Sequence, residues 1–274
     1  MEQVIQALVM GIVQGLTEFL PISSSGHHII LPYVLGWDDP FISSLAFSVV
    51  LHAGTLAALL VYFRHDWRRL IPAGLAALRD RSFRDEPDRR LAWLIATATV
   101  PAAVVAVLFN DVIEENVRQV GLVALMLVVG AAILWLADRW GPRTHLIHGL
   151  TFRGALGIGS AQALALFPGV SRSGISMSAG LFAGLDRADA ARFSFLMATP
   201  ITGMAVVYES VKLLAGESAG AELAPLVVGV AASFASGMLA IAVLLRFVRT
   251  RSFGVFVTYR LVLAIGVLVF LLAR

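Results

Sequence analysis

The 274-residue chain contains no cysteine, which excludes a disulfide, a thiolate nucleophile and a cysteine-held metal. Charge is nearly as scarce. Asp, Glu, Lys and Arg make up 14 % of the residues against 58 % that are apolar, where soluble domains carry roughly 25 % and 45–50 %; an ordinary water-soluble globule is excluded. The apolar residues run in blocks long enough to cross about 30 Å of hydrocarbon at ~1.5 Å per residue, so the chain reads as an all-α polytopic membrane protein. The first apolar run, 4–20, is preceded by Glu2 rather than by basic residues and lacks a small-residue cleavage site; it is expected to stay in the fold rather than leave as a signal peptide. The net charge of +3 does not argue for nucleic acid, because the arginines lie in loops between spans, where anionic lipid head groups attract them equally well. No nucleic-acid partner is expected.

Hydropathy marks six spans, 41–63, 91–109, 120–137, 193–214, 224–245 and 253–272, and two apolar regions that are broken in the middle. The first runs over 4–20, meets Pro21, Ser23, Ser24, Ser25 and Gly26, and resumes over 29–35; the second runs over 154–167, meets Pro168, Gly169, Ser171, Arg172, Ser173 and Gly174, and resumes to Leu185. Stretches 64–90, 138–153, 186–192 and 246–251 hold 16 arginines, whereas 110–119 and 215–223 hold one. Under the positive-inside rule the four basic stretches are cytoplasmic. That bias requires the second broken region to enter and leave on the inside, and by analogy the first is read as re-entrant from the outside. The expected fold is six transmembrane helices plus two re-entrant broken hairpins.

A weak repeat accompanies this layout. Gly11 and Gln14 ahead of Ser25 and Gly26 are echoed by Gly159 and Gln162 ahead of Ser173 and Gly174 at an offset of 148. Three crossings and one hairpin per half give halves of opposite orientation, an inverted repeat of about 1–137 and 153–272 within one membrane domain, with irregular backbone lining a cavity.

The two breaks hold the chemistry. Gln14 and Glu18 are i and i+4 and share a helix face; a glutamate inside a membrane segment is a functional candidate unless it is a solvated helix end. Ser23, Ser24, Ser25 and Gly26 stand where a second helix begins and supply hydroxyls and free N–H groups for an anion, though one serine as a simple cap is the plainer alternative. His27 adds a proton donor or acceptor near neutral pH, and its neighbour His28 is expected to face elsewhere. In the second break Arg172, set among Ser171, Ser173 and Gly174 with Ser176 beyond, is a phosphate-binding arrangement, since a guanidinium makes bidentate bonds to phosphate. A cation below the membrane surface must be compensated by a bound anion or by Glu18. A carboxylate beside a phosphate also suits Mg²⁺ or Ca²⁺, with Glu18 as the metal ligand. Among other polar residues, His52 either lines the cavity or packs, Glu209 and Lys212 read as an interfacial pair, Arg260 has an unassigned partner, and Gly11 and Gly15 form a GxxxG packing pair.

At these residues the chain resembles the undecaprenyl-diphosphate phosphatase family, also known as the bacitracin-resistance family. Gln14 to Glu18 match its (E/Q)xxxE motif, Pro21 to His27 follow as PISSSGH, and Pro168 to Ser173 match PGxSRS. The resemblance implies hydrolysis of a polyprenyl diphosphate carrier lipid of the cell wall to its monophosphate, at the outer, periplasmic side of the bacterial plasma (inner) membrane, with a divalent cation. It implies Glu18, Ser24, His27, Ser171 and Arg172 as active-site residues, with Gln14 and Ser176 in support. Two departures stand out: Gln14 takes the neutral option at its motif position, and Ser176 stands where a threonine is common. The expected partners are the lipid diphosphate and the membrane, with a homodimer as a further candidate. A transporter or flippase for an anionic lipid is the alternative that the broken helices allow, because fold does not decide function.

Overall fold

The computed structural model describes residues 1–83, 86–214 and 223–273, and their side chains except at 45, 110–116, 209 and 212–214. The pair Glu209 and Lys212 lies outside the described side chains. Among the described residues every regular element is a helix: α1 (Glu2–Phe19), α2 (Ser24–Leu35), α3 (Leu45–Tyr62), α4 (Arg64–Asp80), α5 (Pro87–Asn116), α6 (Val120–Trp140), α7 (Phe152–Gln162), α8 (Arg172–Phe182), α9 (Arg187–Leu214), α10 (Leu223–Phe247) and α11 (Gly254–Leu272). Five of these, α5, α6, α9, α10 and α11, are long and apolar enough to cross a membrane, and α3 with α4 makes a sixth if the bent pair counts as one span. The protein is a multi-pass membrane protein.

Both expected breaks are present, one marked by proline and the other by glycine. Leu20, the residue before Pro21, is extended at ψ 139°, because the proline ring disfavours a helical residue ahead of it. In the second break Gly169 has φ +103°, and a Cβ added there would lie 2.6 Å from the Val123 carbonyl oxygen; only glycine fits so close a turn.

The basic composition of 64–90 predicts a loop, and the structure has α4 there, turned 82° from α3. Ile71, Leu75 and Leu78 are exposed along one stripe of α4 while its first turns carry Arg64, Asp66, Arg68 and Arg69. A charged end and an apolar stripe at helical spacing suit a helix lying in the membrane interface.

α1 packs on α10, and α7 packs on α5; α3 joins α10, and α9 joins α5; α3 meets α9, and α6 meets α11. α1 and α10 approach closely. A Cβ at Gly11 would stand 2.2 Å from the Gly229 carbonyl oxygen and one at Gly15 2.0 Å from Ser236 Oγ, so the GxxxG pair is a packing device. The four arginine-rich stretches meet at one end of the bundle: Arg192 Nη2 donates to Asp66 at 2.6 Å, Arg187 Nε to Asp138 at 2.6 Å, and the Phe253 N–H to Asp138 at 3.0 Å. The outer surface is apolar where helices span, as with Val100, Val104 and Val107 on α5 and Val262, Ile265 and Val269 on α11.

Candidate active site

Glu18 lies in the last turn of α1 with its side chain 5 % exposed. A carboxylate so far from water needs several donors. Its Oε2 accepts from Gln14 Nε2 at 3.0 Å and from Ser24 Oγ at 2.7 Å, His52 Nε2 stands 3.3 Å from the same oxygen, and Arg172 Nη2 donates to Oε1. Arg172 Nη1 donates to Thr202 Oγ1 at 2.8 Å. Five elements therefore converge: α1, the starts of α2 and α8, the middle of α3, and α9. The i, i+4 spacing delivers Gln14 and Glu18 together, as expected, and Arg172 and Glu18 neutralise each other.

The two breaks have one geometry. Ser23 and Ser171 both have φ 76°, a left-handed conformation that is rare for a residue with a side chain. Each caps the helix that follows, its Oγ accepting from Gly26 N at 3.3 Å and from Gly174 N at 3.1 Å respectively. Each also contacts the serine two residues on, Ser25 Oγ at 3.3 Å and Ser173 Oγ at 3.2 Å. The loops are laced together as well: the Gly169 N–H donates to Ser23 Oγ at 3.2 Å, and Ser173 Oγ donates to the Leu20 carbonyl at 3.1 Å. The hydroxyls of Ser23, Ser171 and Ser173 thus shape the two loops, whereas Ser24 reaches the carboxylate. Ser176 is 1 % exposed, and its Oγ has no hydrogen-bond partner; Gln14 Oε1 is also buried without one.

Arg260 is fully buried, and its partners are main-chain carbonyls: Nε donates to Leu127 at 3.1 Å, Nη1 to Pro21 at 3.3 Å, and Nη2 to Gly169 at 2.7 Å and Val170 at 2.9 Å. It joins both breaks to α6. The partner that its sequence position left open is backbone.

His27 stands one turn beyond Ser24 and makes its hydrogen bonds away from Glu18. Its Nδ1–H donates to the Ser23 carbonyl at 2.7 Å, leaving Nε2 to accept from the Tyr259 hydroxyl at 2.7 Å. His28 is buried and, as expected, faces elsewhere, into a cavity of about 510 Å³ lined also by Ile29, Pro32, Tyr33 and Arg118. Of the two readings of His52, lining holds: its Nδ1–H donates to the Ser48 carbonyl at 2.7 Å, which aims Nε2 at Glu18. Thr202 and Tyr259 join the site without a sequence signal as clear as the breaks. A threonine in an apolar span ordinarily bonds its own helix, as Thr199 does with the Phe195 carbonyl, and no local pattern sets Thr202 apart. Tyr259 adjoins Arg260, the one charge within its span, and that adjacency was its available signal.

Among the described residues no group of three or more His, Cys, Asp or Glu comes together to cage a metal. The oxygen donors at hand are the Glu18 carboxylate and the unpartnered Gln14 Oε1 one turn away. That set fits a cation of the Mg²⁺ kind, which takes one or two protein oxygens and completes its shell with water and substrate phosphate.

Fold and site together define an all-helical, multi-pass membrane protein with a polar centre enclosed where two broken helices meet. The chain belongs to the family described as bacitracin resistance protein BacA, whose family model matches residues 7–266. It is 48 % identical over 269 residues to the undecaprenyl-diphosphatase of Gemmatimonas aurantiaca, covering 98 % of each chain. To the undecaprenyl-diphosphatase of Geobacter sulfurreducens it is 46 % identical over 272 residues, covering 99 % of each.

Proposed function

We propose that the protein hydrolyses undecaprenyl diphosphate to undecaprenyl phosphate and inorganic phosphate. The observation that carries the reading is the Glu18–Arg172 pair with Ser24 at the facing ends of two broken helices; the activity named for the relatives supports it. Phosphoryl transfer needs charge neutralisation on the equatorial oxygens and an ordered nucleophile and leaving group.

Arg172 exchanges its contact with Glu18 for the diphosphate and holds it through a planar fork braced by Thr202. The helix starts at Ser24 and Arg172 add N–H groups that have no partner within their helices, and Gly26, whose Cβ would lie 3.6 Å from Gly169 Cα, lets the two breaks come close. Ser23, Ser25, Ser171 and Ser173 hold these loops in register, and the unpartnered Ser176 hydroxyl is available to a phosphate oxygen. Once free of Arg172, Glu18 accepts the proton of the attacking oxygen, that of Ser24 or of a water; the bond to the terminal phosphorus forms as the phosphoanhydride bond breaks, His27 Nε2 hands a proton to the departing undecaprenyl phosphate, and a phosphoserine, where Ser24 attacks, is released by water as inorganic phosphate. Gln14 and Glu18 are the residues that would hold Mg²⁺ or Ca²⁺, which supplies further neutralisation of the phosphates when bound.

To the same reading belong the inverted repeat of 1–137 and 153–272, supported by the matching caps at Ser23 and Ser171 and by the exchanged packing of α1 on α10 and α7 on α5. So do the bacterial plasma membrane as location, an outward-facing site, a homodimer and the absence of a nucleic-acid partner.

The test is phosphate release from undecaprenyl diphosphate by detergent-solubilised protein with Mg²⁺, where no compartments exist and transport gives no signal. Glu18→Ala and Arg172→Ala are each expected to lose about a hundredfold or more in rate. Release at the parent rate by either variant overturns the site.

A further inference from the structure

Undecaprenyl diphosphate carries its head on an isoprenoid chain that stays in hydrocarbon. The head can reach Glu18 and Arg172 only if the chain passes out between two helices. The re-entrant helices differ in how far they are enclosed: α8 buries eight of its eleven residues, α2 only four of twelve. Tyr33, Val34 and Leu35 of α2 are exposed, so α2 borders the exterior. Its inner side rests on α6 through Ile30 in a cluster with Val123, Ala124 and Leu127, to which α11 adds Ala264 and Val267. Across the outer gap α2 meets α11 through two ring pairs. His27 and Tyr259 lie parallel at 5.7 Å, and Tyr33 and Phe270 meet edge to face at 6.1 Å.

We propose that the seam between α2 and α11 is the side entrance for the substrate's isoprenoid chain, and that Tyr259, hydrogen-bonded to His27, is its latch. The assignment rests on the phosphatase reading. Tyr259 is 43 % exposed at an apolar surface, where a hydroxyl without a partner is costly, and it reaches inward to His27 Nε2. His27 and Ser24 are three apart on one face of α2, so a gap opened at His27 leads to Ser24 and its partner Glu18. Room for the movement exists behind α2 in the 510 Å³ cavity that its His28, Ile29, Pro32 and Tyr33 line. Pro32 inside α2 also removes a helical hydrogen bond. The Nε2 lone pair accepts either the Tyr259 hydroxyl or a group on the substrate, not both. A head group that takes Nε2 displaces the hydroxyl by a small turn of the Tyr259 side chain, whereas a long chain needs α2 and α11 themselves to part.

The absence of native cysteine makes the test direct. Tyr33→Cys with Phe270→Cys introduces two thiols outside the catalytic residues, and a bis-methanethiosulfonate reagent joins them across the seam. Two substrates are compared, undecaprenyl diphosphate and the short-chain farnesyl diphosphate. Cross-linking is expected to slow undecaprenyl diphosphate hydrolysis at least about tenfold, to change farnesyl diphosphate hydrolysis by less than about twofold, and to be reversed by reductant. Equal loss with both substrates, or loss with neither, overturns the seam. A second variant, Tyr259→Phe, keeps the ring and drops the latch hydroxyl. It is expected to lower KM for undecaprenyl diphosphate, relative to farnesyl diphosphate, by about three- to tenfold, the weight of one hydrogen bond; the same change in both overturns the latch. If neither substrate releases phosphate before cross-linking, the phosphatase reading falls and the seam with it.

Discussion

Arg260 of α11 donates through Nη2 to the carbonyl of Gly169 in the second break at 2.7 Å, and through Nη1 to the carbonyl of Pro21 in the first at 3.3 Å. One fully buried guanidinium thereby holds two irregular loops from opposite halves of the chain. In a hydrocarbon setting those carbonyls have no water to turn to, and the cation is satisfied by dipoles alone.

Arg260→Met is expected to destabilise the fold by about 3 kcal/mol or more, since several buried acceptors lose their donor at once. Arg260→Lys recovers only part, because an ammonium cannot span the carbonyls that the planar fork reaches. Gly130→Ala is expected to act in the same direction, since its Cβ would lie 2.0 Å from Arg260 Nη2. Thermal unfolding in detergent measures all three.

Thr202→Val removes the brace on Arg172 Nη1 and leaves the Glu18 contact. A drop of about three- to tenfold in kcat/KM is expected, the scale of one hydrogen bond. Steady-state phosphate release checks it; an unchanged kcat/KM would show that the brace is idle.

Neighbouring serines are expected to separate stability from chemistry. Ser23→Ala loses a helix cap and the tie to Gly169, for a loss of about 1–2 kcal/mol of stability. Ser24→Ala loses the 2.7 Å bond to Glu18, and here phosphate release is expected to fall much more than the unfolding temperature. Paired assays of melting and rate on both variants measure the contrast.

Much of the architecture is legible without coordinates. Spans follow from apolar run length, because hydrocarbon demands about 20 residues of low polarity to cross it, and the breaks follow from Pro21 and from Pro168 with Gly169 together with the serines and glycines after them; proline alone is no signal, since Pro101 and Pro200 lie inside α5 and α9. The arginine bias sorts the loops by side, and the basic stretches do meet at one end of the bundle. Gln14 and Glu18 are paired by helical periodicity alone. The helix α4 was harder to see, since its arginines dominate the composition and conceal the stripe of Ile71, Leu75 and Leu78.

Local forces are enough to define an all-helical membrane protein with two polar interruptions and a family motif at each. Which side chains meet there follows from long-range packing. Arg172 lies 154 residues from Glu18, Tyr259 lies 232 from His27, and Arg260 lies 239 from Pro21. At such separations no periodicity links the partners; the pairing is imposed by the packing of α1 on α10, α8 on α9 and α11 on α6. Packing also divided the serines, turning Ser23 and Ser171 into loop framework and Ser24 toward the carboxylate, because a hydroxyl buried in this setting bonds whatever its loop's backbone brings within reach.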